Sequence, residues 1–172
     1  MNHVLENIIT RRSVRSFTDQ PISQTDLDQI ITAAIYAPSG MNRQSWHFTI
    51  LRNREKMQQL YETMGSSLGN KDYDFYHAQV MILVSNERDN GNSMADCACA
   101  MQNIFLMSHE LGIGSVWINQ LKALRDVPEI RALLDSFDVP KHHDIYSMAA
   151  LGYTEVYPDA RPRKEGTYHF VD

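Results

Sequence analysis

Cysteine is scarce: Cys97 and Cys99 are the only two among 172 residues, so no disulfide framework holds this chain together. No Asn-x-Ser/Thr acceptor occurs either, and together these absences predict a reducing, cytoplasmic setting. Positive charge is not in excess. Sixteen Lys+Arg face twenty-one Asp+Glu, a net charge of -5, which argues against nucleic-acid binding through bulk positive charge. Long hydrophobic runs are missing too: the uncharged, apolar-leaning stretch from Cys97 to His109 falls short of the ~20 residues a bilayer span needs. The first twenty residues carry Glu6 and Arg11 without an apolar core, so no leader peptide and no membrane association are expected. Eight glycines and six prolines are scattered, with no repeat, low-complexity tract or linker that would divide the chain.

What is present fits one folded domain over residues 1–172. Hydrophobic residues make up 43% and charged residues 22%, near the average for globular proteins. Val4, Leu5, Ile8 and Ile9 share one face of a short first helix ending near Arg12. Ser23-Gln24-Thr25-Asp26 resembles a capping box, followed by Leu27, Ile30, Ile31, Ala34 and Ile35 at helical spacing until Pro38-Ser39-Gly40. Strands are predicted at His47–Leu51, Val80–Ser85, Ser115–Ile118 and Tyr146–Leu151, and helices at Glu55–Met64 and Pro128–Ser136. A further helix, Ala95–Leu111, is apolar nearly all round, which suits the centre of a core or a subunit interface; Gly112 ends it. The tail, residues 154–172, carries Pro158 and Pro162 and reads as extended. This alternation describes a mixed α/β or α+β protein without fixing its topology.

Several motif matches fail on context. Gly65-Ser66-Ser67-Leu68-Gly69 fits a nucleophile elbow, but a helix precedes it where a strand is required. Gly112-Ile113-Gly114 begins a dinucleotide fingerprint, yet Trp117 occupies the third glycine position and the order is helix into strand. Cys97 and Cys99 lie two apart on a helix, on nearly opposite faces, and are expected to be buried thiols and not a metal site. His142-His143-Asp144 lacks metal-ligand spacing and is expected in a solvated loop.

Four segments carry the chemistry. Against the acidic background, five of the eleven arginines sit in two tight groups, Arg11-Arg12-Ser13-Val14-Arg15 and Arg161-Pro162-Arg163. Guanidinium forks match phosphate oxygens, which suggests a small anionic ligand; arginines at a helix end also suit the macrodipole. Ala37-Pro38-Ser39-Gly40-Met41-Asn42-Arg43-Gln44-Ser45-Trp46-His47-Phe48 offers small residues and amides that let a backbone approach a ligand, although a helix-to-strand turn anchored by Trp46 explains part of it. Gly112-Ile113-Gly114-Ser115-Val116-Trp117-Ile118-Asn119 and Leu151-Gly152-Tyr153 complete the set.

In this order the four segments resemble the FMN-dependent nitroreductase family over roughly residues 3 to 165. The family's motifs read Arg-Arg-Ser-x-Arg-x-Phe, Ala-Pro-Ser-x-x-Asn-x-Gln-Pro-Trp-x-Phe, Gly-Ile/Leu-Gly-Ser-x-Trp-Ile, Leu-Gly-Tyr and a final Arg/Lys-x-Arg. The resemblance implies an α+β fold, with a central, mostly antiparallel sheet flanked by helices, in an intertwined homodimer. By resemblance, Arg11, Arg12, Ser13 and Arg15 hold the FMN phosphate and the pyrimidine edge, and Arg161 and Arg163 close on the phosphate. Pro38, Ser39, Gly40 and Asn42 match a loop reaching the flavin bound mainly by the other subunit. Trp117, Ile118 and Asn119 match the strand end beside the ring, where backbone amides face its N5, and Asn70 matches a family asparagine near the ring. Ser45 stands where the family has proline, Gln120 where some members have glycine, and the stretch between Leu60 and Gln79 is short.

The activity so implied is that of an oxidoreductase without a catalytic side chain. FMN carries the redox step, NADH or NADPH is the transient donor, and a small electron-poor acceptor such as a nitro compound or quinone follows at the same face. The same resemblance leaves open reductive dehalogenation, flavin fragmentation and a non-catalytic FMN sensor or storage protein.

Overall fold

A computed structural model describes residues 2–172. Ten elements follow in chain order: α1 His3–Thr10, α2 Gln24–Ile35, β1 His47–Leu51, α3 Arg54–Leu68, β2 Val80–Glu87, α4 Ser93–Glu110, β3 Gly114–Ile118, α5 Leu121–Leu124, α6 Pro128–Ser136 and β4 His143–Gly152. The strands form one sheet in the order β1-β2-β4-β3, and each neighbouring pair is antiparallel. The fold is therefore α+β, as the resemblance implied.

Side chains of a strand alternate between the two faces of its sheet, and here each face has its own core. On one face Met81, Leu83, Met148 and Ala150 pack with Met57, Leu60 and Met64 of α3 and with Leu121, Ile130 and Leu134 of α5 and α6. On the other, Val80, Ile82, Val84, Ala149 and Leu151 pack with Leu27, Ile30 and Ala34 of α2 and with Cys97, Met101, Ile104 and Phe105 of α4. Strand β2, covered on both sides, is buried from Val80 to Asn86, which explains its unbroken apolar run.

The chain after α1 runs along the β3 edge. Ser13 bridges Ser115 in parallel, Val14 N–H donates to the Ser115 carbonyl, and Thr18 N–H donates to the Tyr153 carbonyl. Glycine makes this approach possible. A Cβ on Gly152 would lie 2.8 Å from Phe17 Cβ, and one on Gly114 would lie 3.0 Å from the Val14 side chain.

The predicted bounds of β1 and α6 coincide with those observed, while α3, β2 and β4 are longer. The short helix α5 had no separable signal because four residues show no period. Helix α4 is apolar on more than its core face: Met94 and Cys99 are exposed. Cys99 thus departs from the expectation of two buried thiols, while burial pushes the Cys97 thiol up to about 12. Residues 65–69 close α3, with Gly69 as its left-handed cap, so the serine elbow is absent. No helix among the described residues is long and apolar enough to cross a membrane.

His143 corrects another expectation. It is not in a solvated loop but opens β4, 5% exposed, with Nδ1 3.1 Å from Ser85 Oγ. Burial, reinforced by the neighbouring His142 and His47, lowers its pKa to about 4 from an ordinary 6.5. The folded state therefore resists protonation that the unfolded chain accepts, so this contribution is complete above pH 6.5 and is lost as pH falls toward 4. The gap corresponds to about 3 kcal/mol at most. Urea unfolding at pH 7.5 and pH 4.5 should show a larger acid loss in the parent protein than in His143→Asn; equal losses would contradict a buried neutral imidazole.

Candidate functional site

A cavity of about 530 Å³ opens beside the end of α1. Arg11, Arg12, Ser13 and Arg15 line it together with Arg161 and Arg163 of the tail, alongside Ile8 and Ile9. The two arginine groups, nearly 150 positions apart in the chain, thus share one cavity. Asp159 also lines it, yet none of the five arginines is ion-paired among the described residues, whereas Arg54, Arg88, Arg125 and Arg131 all are.

The five have different local duties. Arg12 donates from one guanidinium nitrogen to the Ile9 and Arg11 carbonyls, both at 2.8 Å, and so caps α1. The helix-end explanation holds for this residue. Arg11 lies over the Phe105 ring, 5.7 Å from its centroid, and burial, with help from Arg12 and Arg163, lowers its pKa. Arg15, Arg161 and Arg163 donate no hydrogen bond among the described residues and remain available to an anion.

Phe105 connects the cavity to the sheet edge. Its ring sits 6.1 Å from that of Trp117, which is 38% exposed on a strand whose other residues are buried. Ile118 is buried, and the Asn119 N–H donates to Gln120 Oε1 at 3.1 Å. The amide that the resemblance sets beside a flavin is therefore capped here by the side chain that replaces a family glycine. Asn70 follows the α3 cap, is exposed, and accepts from Asp72 N–H; it does not line the basic cavity.

The Pro38–Asn42 loop is built elsewhere. Gly40 N–H donates to Asp96 Oδ1 at 2.9 Å, and a Cβ on Gly40 would collide with the Asn92 carboxamide. Ser45, in the family's proline position, donates to Asn86 Oδ1 and accepts from Asn90 Nδ2. Its hydroxyl ties the loop down where proline would offer none. Met41, Asn42 and Gln44 all have φ near +50°, a conformation that side chains rarely adopt and that such anchoring sustains. Gln44 bridges back to Ser39 Oγ and Asn42 Oδ1.

Of these anchors Asp96 lies in the first turn of α4, Asn92 caps it, and Asn86 and Asn90 lie in the end of β2 and the turn that lead into it, whereas the cavity adjoins the last two turns of α4. From Asp96 to Phe105 or His109 the helix rises about 14–20 Å. One chain therefore brings the two arginine groups together and holds the Pro38–Asn42 loop at the opposite end of α4.

Asp96, Asn86 and Asn90 escaped the sequence reading. A buried acid in a helical first turn has the same spacing as an exposed one, and only the loop it meets tells them apart. Asp96 is 4% exposed, and the α4 N-terminus favours its charge. Removing it orphans the Gly40 amide. Asp96→Ala should cost about 1–3 kcal/mol in urea unfolding, and Asp96→Asn, which keeps an acceptor, should cost less.

An antiparallel sheet flanked by helices, with a cavity lined by five arginines beside the β3 edge, defines an α+β protein with concentrated positive charge at its sheet margin. Residues 8–153 match the Nitroreductase family, and the chain belongs to that family. A crystal structure of a nitroreductase with bound FMN from Bacteroides fragilis superposes with a TM-score of 0.95, covering 100% of both chains at 39% identity. A relative in Methanothermobacter thermautotrophicus is 36% identical over 162 residues, 92% of this chain and 81% of its own length. An FMN reductase [NAD(P)H] of Bacillus subtilis is 27% identical over 180 residues, 95% of this chain and 70% of its own.

Proposed function

We propose that the protein is an FMN-dependent oxidoreductase that passes a hydride from NADH or NADPH to an electron-poor acceptor, working as one domain in a cytoplasmic homodimer. The observation that carries this reading is the cavity where arginines from both ends of the chain meet without ion-pair partners. Guanidinium forks and the Ser13 hydroxyl are the donor set a phosphate monoester requires, so FMN fits the residues present. The FMN bound by the Bacteroides fragilis relative and the reductase name of the Bacillus subtilis one support the same cofactor and donor.

In this reading Arg11, Ser13, Arg15, Arg161 and Arg163 hold the phosphate and the pyrimidine edge, while Arg12 fixes the end of α1 from which they project. Trp117, Ile118 and Asn119 flank the ring, with Asn70 at its margin. Bound FMN would supply two-electron redox chemistry between the nicotinamide donor and the acceptor. The protein's own part is to orient the ring and concentrate positive charge beside it, which favours added negative charge. Pro38, Ser39, Gly40 and Asn42 serve the cavity of a second copy, which the separation along α4 supports. A second copy also accounts for the apolar face of α1, where Val4, Leu5, Ile8 and Ile9 are each 45–64% exposed.

The test is optical. Protein loaded with FMN under anaerobic conditions should bleach on addition of NADH or NADPH and recover its colour with a nitroaromatic or a quinone. A yellow protein that never bleaches would make it a binding protein, and one that takes up no FMN would overturn the reading. Arg11→Ala and Arg163→Ala should each weaken FMN binding by about 1.5–3 kcal/mol, roughly ten- to a hundred-fold in Kd by fluorescence titration.

A further inference from the structure

The C-terminal strap has one point of attachment. Among the described residues, 154–172 hydrogen-bond to the rest of the chain only through Tyr157. Its hydroxyl accepts from Arg12 N–H at 3.1 Å and donates to His109 Nδ1 at 2.7 Å. The opposite ring nitrogen, His109 Nε2, donates to Thr10 Oγ1 at 2.8 Å, and Thr10 donates to the Glu6 carbonyl at 2.7 Å. Because Thr10 donates away from the ring, Nε2 carries a proton, and a neutral His109 of that tautomer accepts from Tyr157 at Nδ1. The Tyr157 and His109 rings also stack, 5.7 Å apart and 19° from parallel.

The surroundings of His109 favour that neutral state. Arg11 and Arg12 face it from the end of α1, Tyr157 from the tail and Glu110 from its own helix, where Asn7 and His3 engage the Glu110 carboxylate. Burial first, then the two arginines, lowers its pKa, with Glu110 opposing.

Arg161 lies four positions after Tyr157, a reach of at most about 14 Å; Pro158 limits the paths between them, and Pro162 those from Arg161 to Arg163. A strap pinned at Tyr157 therefore keeps Arg161 and Arg163 near the cavity, and an unpinned one does not. We propose that Tyr157 and His109 form a clasp joining α1, α4 and the tail, and that it positions Arg161 and Arg163 for the phosphate of the cofactor. This rests on reading the cavity as the FMN phosphate site. Neither residue touches the reacting atoms; both act through the strap.

Comparing FMN with riboflavin, which lacks the phosphate, isolates that role. In full-length protein, Tyr157→Phe should weaken FMN binding roughly ten-fold by fluorescence titration and leave riboflavin affinity unchanged. His109→Gln should do the same. In an Arg161→Ala/Arg163→Ala background, adding Tyr157→Phe should weaken FMN no further, because the clasp then has nothing left to position. Without flavin, NMR should show the Nε2-protonated tautomer of His109 and a rise in its pKa in Tyr157→Phe, since the donor that favours the neutral ring is gone. Equal losses for FMN and riboflavin, no loss for either, or a ten-fold effect that persists in the double-alanine background would overturn the clasp. If the parent protein binds no FMN while the His109 pKa still rises in Tyr157→Phe, the cofactor reading falls and the clasp stands as a tail anchor.

Discussion

The interaction on which the rest of this structure depends is the one it leaves unsatisfied: five guanidiniums around a single cavity, none in an ion pair. Like charges gathered at a partly desolvated site repel one another, and burial first, then the neighbouring Arg12 and Arg163, lowers the proton affinity of Arg11. A folded chain tolerates such a cluster when other interactions hold its members in place. Arg12 is fixed on the α1 carbonyls, Arg11 on the face of Phe105, and the tail on His109. An anion that binds only this arrangement both relieves the repulsion and stabilises the fold by mass action.

The cavity in turn depends on two residues without side chains. Gly114 and Gly152 are opposite each other in the β3–β4 ladder, and both face the segment that follows α1. That segment carries Ser13 and Arg15 to the β3 edge. The Gly-x-Gly-Ser run and the Leu-Gly-Tyr run are therefore two halves of one steric arrangement, although the sequence separates them by more than thirty positions. Neither run lines the basic cavity itself: they make room for Ser13 and Arg15, which do.

Much of this was legible in the amino-acid sequence, for physical reasons. His47–Leu51 and Pro128–Ser136 are bounded by residues with strong local preferences, so their ends could be placed. The arginine groups stood out because both were dense in an acidic chain. What stayed hidden depends on tertiary partners. His143 resembles a solvated loop histidine until β4 pairs with β2 and encloses it against Ser85. Asp96 looks like any acid in a helical first turn until the Gly40 loop lands on it. Tyr157 and His109 are separated by nearly fifty residues with no shared motif, and an aromatic in a proline-bearing tail gives no sign of the helix it will meet.

Helix α4 then acts as a spacer between the Pro38–Asn42 loop and the basic cavity. Its first turn holds the strained Pro38–Asn42 loop, and its last turns hold Phe105 and His109 beside the arginines. A rigid helix separates the two by about 14–20 Å, which holds the loop away from its own chain's basic cavity. In the homodimer proposed above, two-fold pairing would resolve this without any change of conformation. When two copies meet through the same surface, each loop can face the other copy's cavity, and both sites complete together or not at all. Under that proposal, strain in the loop, the apolar face of α1 and the uncompensated arginines are three aspects of one condition, a chain completed by a second copy and by an anion.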